Sequence, residues 1–325
     1  MIALRLLHCH PELVEGYKVT THFSVRTIAR LLPERELHML QQFVRTIQDQ
    51  ALLDRASEPL QTPAKKIFRN TSPRGRALKN FLSGSWIGHP LHPIVKDIPI
   101  GGWTMAAIFD ALGEQRAADI SVATGLAGAL ASAVTGLSDW SDTYGHARRV
   151  GMAHALLNIS ATTLYACSLA YRLRGGRAMG VPLAYAGYGV MLLGAYLGGH
   201  LVFGEQIGVN HAVQSALPTD FVPVLADAEL LENRPLRAKY KNIPVLLVRN
   251  GATVHALYER CSHMGGPLAK GTLEDGSIRC PWHGSRFSLE DGAVVEGPAT
   301  LPQPCFETRV VDGMIQVRSR EAEAP

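Results

Sequence analysis

Two short segments near the C-terminus, CSHMGGPL and CPWHGSRF, each combine a cysteine with a histidine. One residue separates Cys261 from His263, and two residues separate Cys280 from His283. Two thiolates and two imidazoles can hold zinc in a tetrahedral site, but a zinc finger groups its cysteines together and its histidines together. Here each segment supplies one of each. That order suits a [2Fe–2S] cluster in which the two cysteines bind one iron and the two histidines bind the other.

These segments resemble the ligand loops of Rieske domains, and the resemblance extends over residues 221–320. It includes a proline-rich segment, EGPATLPQP, which stands where this family has a loop that covers the cluster. Gly265, Gly266 and Gly284 allow turns that bring backbone amides close to the cluster sulfides. The resemblance implies a [2Fe–2S] cofactor and identifies its four ligands. They are Cys261, His263, Cys280 and His283.

Departures from the family pattern bear on the reduction potential. Respiratory Rieske proteins have one further cysteine in each loop, and these form a disulfide at positions that Gly266 and Trp282 occupy here. High-potential members also have a tyrosine, whose hydroxyl bonds to a cysteine sulfur, at the position of Phe287. Ser285 remains as one possible donor. Because fewer hydrogen bonds to the sulfurs lower the potential, the sequence predicts a low-potential, ferredoxin-type cluster without the disulfide.

The middle of the chain contains four apolar segments, at 98–113, 120–137, 152–171 and 181–203. The second and fourth lack Asp, Glu, Lys and Arg and can cross a bilayer, which takes about 20 apolar residues. Asp110 interrupts the first segment, and the third is partly polar. Small residues recur at the four-residue spacing typical of packed membrane helices, which favours four spans over a soluble four-helix core. They are Gly125, Ala129 and Ala133; Gly128, Ser132 and Gly136; and Gly194 and Gly198.

A second resemblance supports this topology. GHPLHPIVKDIPIG, GLSDW and HALLN are similar to motifs of a bacterial family of four-span membrane domains with no assigned activity. This resemblance covers residues 39–203. The predicted fold class is therefore multi-domain, with an all-α four-helix transmembrane bundle followed by an all-β Rieske [2Fe–2S] domain.

The sequence predicts that the chain divides into five parts. A run of basic residues before the first span is expected to touch anionic lipid. The alternative, nucleic-acid binding, is disfavoured because the formal net charge is only +4. The run consists of Lys65, Lys66, Arg69, Arg74, Arg76 and Lys79. The parts are a poorly assigned leader at 1–38, for which a start-site artefact is one explanation; an amphipathic and basic juxtamembrane segment at 39–97; the bundle at 98–203; a linker at 204–220; and the Rieske domain at 221–320.

Three segments predict strands of the C-terminal domain. VPVLA begins at Val222, IPVLLVRNGATVHAL at Ile243, and VVDGMIQVR at Val310. The dipeptides Asn-Gly and Asp-Gly inside the longer two are strong signals for two-residue hairpin turns. We therefore expect antiparallel hairpins at these two places.

Four spans would return both termini to the same side of the membrane. Positive charge near the spans is only slightly richer on the side of the termini. The basic run, the missing signal peptide and the missing disulfide favour a reducing compartment. The sequence thus predicts a multi-pass protein of the bacterial inner membrane, with its Rieske domain on the cytoplasmic side.

Several histidines gather at the membrane face where this domain is expected. His92 precedes the first span, His154 begins the third, and His200 ends the fourth. Ionisable residues within membrane segments tend to mark function. These three histidines are candidates for the axial ligands of haem b or for a quinone site, and a purely structural role is the alternative.

Three functions compete. The first is a membrane-anchored electron carrier that passes single electrons from a soluble reductase to a membrane acceptor or a protein such as an oxygenase component. The second, an oxygenase catalytic subunit, needs a downstream iron site of two histidines and a carboxylate. Only 42 residues follow His283, and none is a histidine, so we expect an electron-transfer component rather than a complete catalytic subunit. The third is a non-enzymatic redox sensor or assembly protein whose bundle is an anchor.

Overall fold

The computed structural model describes residues 34–68, 72–212 and 217–320. Most of the predicted leader, Arg69 of the basic run and part of the predicted linker lie outside these residues. Within the described residues the α-helices all precede the strands, as the sequence predicted. The helices are α1 Glu34–Asp49, α2 Ala51–Phe68, α3 Pro73–Ser83, α4 Leu91–Val95, α5 Asp97–Leu112, α6 Gln115–Trp140, α7 Gly145–Leu173 and α8 Arg177–Phe203.

The last four helices match the four apolar segments of the sequence. Among the described residues, α6 and α8 are long and apolar enough to cross a membrane. Helix α5 has 16 residues and is therefore about 24 Å long, shorter than the roughly 30 Å hydrocarbon core. All four predicted segments are helical, and the membrane crossing of the first and third stays a prediction.

Small residues let these helices approach closely. A Cβ atom added to Gly102 of α5 would lie 3.1 Å from the backbone nitrogen of Gly125 in α6. One added to Gly194 of α8 would lie 3.2 Å from the Asn158 side chain in α7. The predicted small-residue faces therefore lie at helix contacts, where only van der Waals packing and hydrogen bonds hold membrane helices together.

The strands form two antiparallel sheets. Six strands pair in the order β1-β10-β9-β4-β3-β2, and four in the order β5-β6-β7-β8. Both predicted hairpins are confirmed: Gly251 lies in the β3–β4 turn, and Asp312 and Gly313 in the β9–β10 turn, all with positive φ. The strands are β1 Val222–Ala226, β2 Leu236–Tyr240, β3 Ile243–Asn250, β4 Thr253–Tyr258, β5 Thr272–Glu274, β6 Ser277–Arg279, β7 Arg286–Ser288, β8 Val294–Glu296, β9 Cys305–Val311 and β10 Met314–Ser319.

We call residues 51–203 the helical domain and residues 217–320 the β domain. Both lie within one compact unit, Ile47–Pro325. Two apolar clusters occupy the β domain. One packs the six-stranded sheet around Val245 and Ile315. The other lies beneath the smaller sheet, and it includes Cys261, Cys280 and Phe287. This second cluster also contains Leu246 and Leu257 of the six-stranded sheet, so both sheets hold the cysteines predicted to bind metal.

Candidate metal centre

Two loops of the same construction carry the four predicted ligands. The first follows β4 and the second joins β6 to β7. In the first, the amide of Cys261 donates to the Gly266 carbonyl at 2.9 Å, and Gly265 donates back to Cys261 at 2.8 Å. Cys280 makes the two corresponding backbone hydrogen bonds within the second loop. Gly265 and Gly284 have φ of 72° and 81°, a left-handed backbone that glycine adopts without strain.

The two loops bring the cysteine sulfurs together. Cys261 is 1% exposed and Cys280 3%, and a hydrogen bond joins the two side chains. This bond and burial raise the pKa of Cys261, whereas the same bond lowers the pKa of Cys280 to about 7. Iron binds the thiolate, and the lowered pKa of Cys280 favours that form at this cysteine.

The two histidine rings also approach each other. The centroids of His263 and His283 lie 5.0 Å apart, with the ring planes at 85°. The Nδ1 atom of His263 is buried and has no hydrogen-bond partner among the described residues. A buried nitrogen left in this way is costly, and an iron ion would satisfy it. Burial lowers the pKa of His263 to about 3, which keeps the imidazole in its neutral, ligating form.

The four side chains thus lie as two pairs. Among the described residues, no three or more His, Cys, Asp or Glu side chains are arranged to hold one metal ion. A single zinc ion would need all four ligands around one point, whereas a [2Fe–2S] cluster takes two cysteines at one iron and two histidines at the other. The arrangement fits the cluster.

Trp282 occupies one of the two positions at which respiratory Rieske proteins have the disulfide cysteines. A Cβ atom on Gly266 would lie 2.8 Å from the sulfur of Cys280 and 3.1 Å from the Trp282 ring. The indole therefore packs close to the backbone of Gly266, which has no side chain, and near the Cys280 sulfur. The side chain remains 46% exposed.

The proline-rich segment is bonded to the first ligand loop through Gln303, a residue that the sequence did not single out. Its side-chain oxygen accepts the amide of Ser262 at 3.0 Å, and its side-chain nitrogen donates to the Tyr258 carbonyl at 2.6 Å. Ser285 accepts the amide of Ala299 at 2.9 Å. The predicted cover segment is therefore tied to both loops.

The helical domain contacts a predicted ligand directly. Tyr144, between α6 and α7, places its hydroxyl oxygen 2.5 Å from Nε2 of His283. The two rings are stacked, with centroids 5.7 Å apart and planes at 17°. With Nε2 in contact with Tyr144, His283 would bind iron through Nδ1, the atom that is buried without a described partner in His263. No motif in the sequence pointed to Tyr144.

A buried ion pair lies behind this contact. The Nζ atom of Lys79 in α3 lies 2.9 Å from a carboxylate oxygen of Asp142 and 2.7 Å from the Ser138 carbonyl. Burial by itself would raise the pKa of Asp142, but the Lys79 ammonium holds it below its usual value. Lys79 is 5% exposed, so the prediction that it faces lipid headgroups was wrong. It neutralises a buried carboxylate instead.

Two further polar contacts join the domains near the ligand loops, and a third joins the linker to the first loop. Arg76, a second member of the basic run, pairs with Glu296 at 2.9 Å. Asn80 accepts the amide of Gly297 at 2.9 Å. In the predicted linker, the amide of His211 donates to the carbonyl of Ser262 at 3.0 Å.

The three candidate membrane histidines have different polar partners. Burial and the neighbouring His154 lower the pKa of His92 to about 4, which places these two rings in one neighbourhood. His92 lies 3.1 Å from the Ser132 carbonyl, and His154 lies 2.8 Å from that of Gly194. His200 lies instead beside Glu205, at 3.7 Å.

Comparison with known proteins follows the same division of the chain. Residues 220–307 match the model of the Rieske [2Fe-2S] domain, and residues 88–211 match that of a predicted membrane protein family, DUF2231. Over 95 residues the chain is 32% identical to the anthranilate 1,2-dioxygenase ferredoxin subunit of Burkholderia cepacia. That alignment covers 29% of this chain and 88% of the subunit.

Other relatives are much longer than the matched region. The chain is 32% identical over 142 residues to human Apoptosis-inducing factor 3, covering 43% of this chain but only 22% of that protein. It spans 12% of the mouse protein of the same name. A solved structure, the ferredoxin of carbazole 1,9a-dioxygenase from Nocardioides aromaticivorans IC177, is 29% identical with a TM-score of 0.29, covering 30% of this chain and 96% of that one.

The paired cysteines and histidines, the loops that hold them and the aligned ferredoxin subunit agree on one cofactor, a [2Fe–2S] cluster. The chain belongs to the Rieske [2Fe–2S] family, and its cluster domain follows a domain of the predicted membrane protein family DUF2231.

Proposed function

We propose that this protein is a membrane-anchored, single-electron carrier of the low-potential ferredoxin type. The observation that carries the proposal is the contact between Tyr144 and His283, 2.5 Å long, which turns the histidine side of the metal centre towards the membrane-type domain. A cluster bound by Cys261, His263, Cys280 and His283 would accept and release one electron at a time.

The chain's own residues have separate tasks in this function. The cysteines supply thiolates from a buried apolar cluster, where water is excluded. His263 and His283 would provide Nδ1, and the cover segment, tied down by Gln303, holds the first loop in place. Pre-organised loops of this kind limit the structural change that accompanies a change of charge.

The partners we propose are redox proteins. Relatives that this chain covers for most of their length are ferredoxin subunits, namely those of anthranilate 1,2-dioxygenase and of 3-phenylpropionate/cinnamic acid dioxygenase in Escherichia coli K12. By analogy, a soluble reductase would supply electrons, and an oxygenase component or a membrane acceptor would receive them.

Membrane attachment is supported by the surface of the helical domain. Its interior contains small residues such as Gly125, Gly128 and Ala161, whereas large apolar side chains face outwards. A surface of this kind suits lipid, and it would be unfavourable in water. The exposed side chains include Met105, Ile108, Leu112, Ile120, Leu130, Val134, Leu137, Leu156, Ile159, Leu192, Leu193 and Phe203. We propose a multi-pass protein of the bacterial inner membrane with the β domain on the cytoplasmic side.

The proposed type of carrier predicts a low midpoint potential. Phe287 is fully buried in the apolar cluster that contains both cysteines, and it has no hydroxyl. We expect a midpoint nearer the roughly −150 mV end of the Rieske range than the roughly +300 mV end, measured by redox titration followed by EPR. Phe287→Tyr should raise it by about 40 mV, the equivalent of one hydrogen bond of about 1 kcal/mol.

Phe306→Tyr is the matched control, because Phe306 lies in the other apolar cluster of the β domain. It should leave the potential unchanged. A wild-type midpoint above about +200 mV would place the cluster in the upper part of the Rieske range and contradict the ferredoxin type.

A second prediction concerns the membrane histidines as a haem or quinone site. His154→Ala should slow reoxidation of the cluster severalfold in native membranes and leave its EPR spectrum intact, because His154 and His92 lie in one neighbourhood. His200→Ala should act in the same way if His200 belongs to that site. The control is His146→Ala, an exposed histidine of α7. Wild-type rates of cluster reoxidation in both His154→Ala and His200→Ala would show that the helical bundle serves only as an anchor.

A further inference from the structure

Each segment that carries or covers the metal centre touches the helical domain or the linker that follows it. The second ligand loop does so through His283 and Tyr144. The first ligand loop does so near the helical domain's end, where Ser262 accepts the amide of His211. The cover segment contacts α3 through Glu296 and Gly297. The end of the β domain that holds the ligands is thus the end that meets the helices.

These contacts select a particular position. Arg76 and Glu296 pair by charge, with the carboxylate only 12% exposed. Asn80 accepts a hydrogen bond from a backbone amide at 2.9 Å. Tyr144 stacks on the His283 ring and also contacts its Nε2 atom. Hydrogen bonds and stacking depend on direction, so they specify an orientation as well as proximity.

The contacts are polar, whereas the described apolar clusters each stay within one domain or its adjoining linker. Interfaces between domains are commonly of this kind. The orientation of the β domain therefore depends on a few directional contacts, which can be removed singly without opening an apolar core.

We propose that α3 and the α6–α7 loop form a docking surface for the histidine face of the β domain, with Tyr144 as the residue that positions His283. The docked arrangement is the working position of the cluster domain, which therefore holds one orientation relative to the membrane. The proposal rests on the proposed function, since it assumes that the cluster domain is membrane-attached.

A disulfide tests the position directly. A Cβ atom on Gly297 would lie 3.3 Å from the Cβ atom of Ser85, close to the 3.5–4.5 Å of natural disulfides. In full-length protein carrying Cys9→Ser and Cys167→Ser, the pair Ser85→Cys and Gly297→Cys should cross-link in most molecules under mild oxidation. Each single variant is a control for the effect of the substitution itself.

A charge reversal tests whether the contacts direct the docking. Adding Arg76→Glu to the cysteine pair should slow cross-linking several-fold, because it sets two carboxylates against each other at Glu296. Arg74→Glu makes the same change of charge on an exposed residue of the same helix and should have no effect. Equal cross-linking in the two variants, or no cross-link in the unreversed pair, would overturn the docking surface.

EPR of oriented membrane layers separates this proposal from the proposed function. A cluster signal in membranes tests the function, and its dependence on the angle to the field tests the docking. We expect the angular dependence to be the same with the disulfide closed or open. An angular dependence that appears only with the disulfide closed would show that docking is not the working position.

Tyr144→Phe isolates the positioning role. The variant keeps a ring to stack on His283 but loses the hydroxyl, so Nε2 loses its partner and the imidazole becomes a poorer electron donor to iron. The midpoint potential should rise, and cross-linking should persist. Tyr144→Ala should also weaken the angular dependence. An unchanged potential in Tyr144→Phe would refute the role assigned to this hydroxyl.

Discussion

Cys261→Ser and His263→Ala are each expected to abolish the [2Fe–2S] EPR signal. Cys261 is one of two buried thiols joined by a hydrogen bond, and its loss leaves one iron with a single protein ligand. His263 presents a buried Nδ1 atom with no described partner, and its loss has the same effect at the other iron. EPR of the reduced protein and iron and sulfide analysis measure the outcome.

The controls are a cysteine and a histidine of the same domain outside the two loops. Cys305→Ser and His255→Ala should retain a full complement of iron, because neither residue belongs to the loops that carry the ligands. A Rieske-type signal of normal intensity in Cys261→Ser or His263→Ala would be incompatible with the ligand assignment.

Lys79→Met should be strongly destabilising. The side chains of Lys79 and Asp142 are 7% and 2% exposed, and removing the cation would leave a buried carboxylate without its counter-charge. Breaking such a pair costs about 3–5 kcal/mol. Thermal unfolding in detergent, followed by tryptophan fluorescence, should show a markedly lower midpoint temperature.

Two further variants test whether the loss of stability comes from the uncompensated buried charge. Lys96→Met removes a cation from the pair with Asp97, which is 44% and 71% exposed, and should cost about 1 kcal/mol or less. Combining Lys79→Met with Asp142→Leu should recover much of the lost stability, since the uncompensated charge is then gone. Equal losses in Lys79→Met and Lys96→Met would contradict the buried ion pair.

The direction in which pH changes the stability of the Lys79–Asp142 pair follows from the lowered pKa of Asp142. A carboxylate with a lowered folded-state pKa stabilises the fold above its unfolded pKa, and this stabilisation is lost as the pH falls through the folded value. The pair should therefore be intact at neutral pH and weaken only in acid.

Much of this protein could be predicted from short-range patterns in its sequence. The order of Cys261, His263, Cys280 and His283 identified the cofactor, because each half-site must lie in one loop and a loop is a local structure. The hairpins at Asn250–Gly251 and Asp312–Gly313 were predictable for the same reason, since the turn type depends on two adjacent residues. The apolar segments likewise predicted the four helices.

The contacts between the two domains could be learned only from the tertiary structure. Tyr144 and His283 are 139 positions apart, and no local spacing connects them. Lys79 belongs to a run of charges that resembles a solvated surface, and only the fold shows that it compensates Asp142 inside. Burial and partnership of a charged side chain depend on distant segments, so the sequence determined the chemistry of the metal centre, and the fold determined which surface it faces.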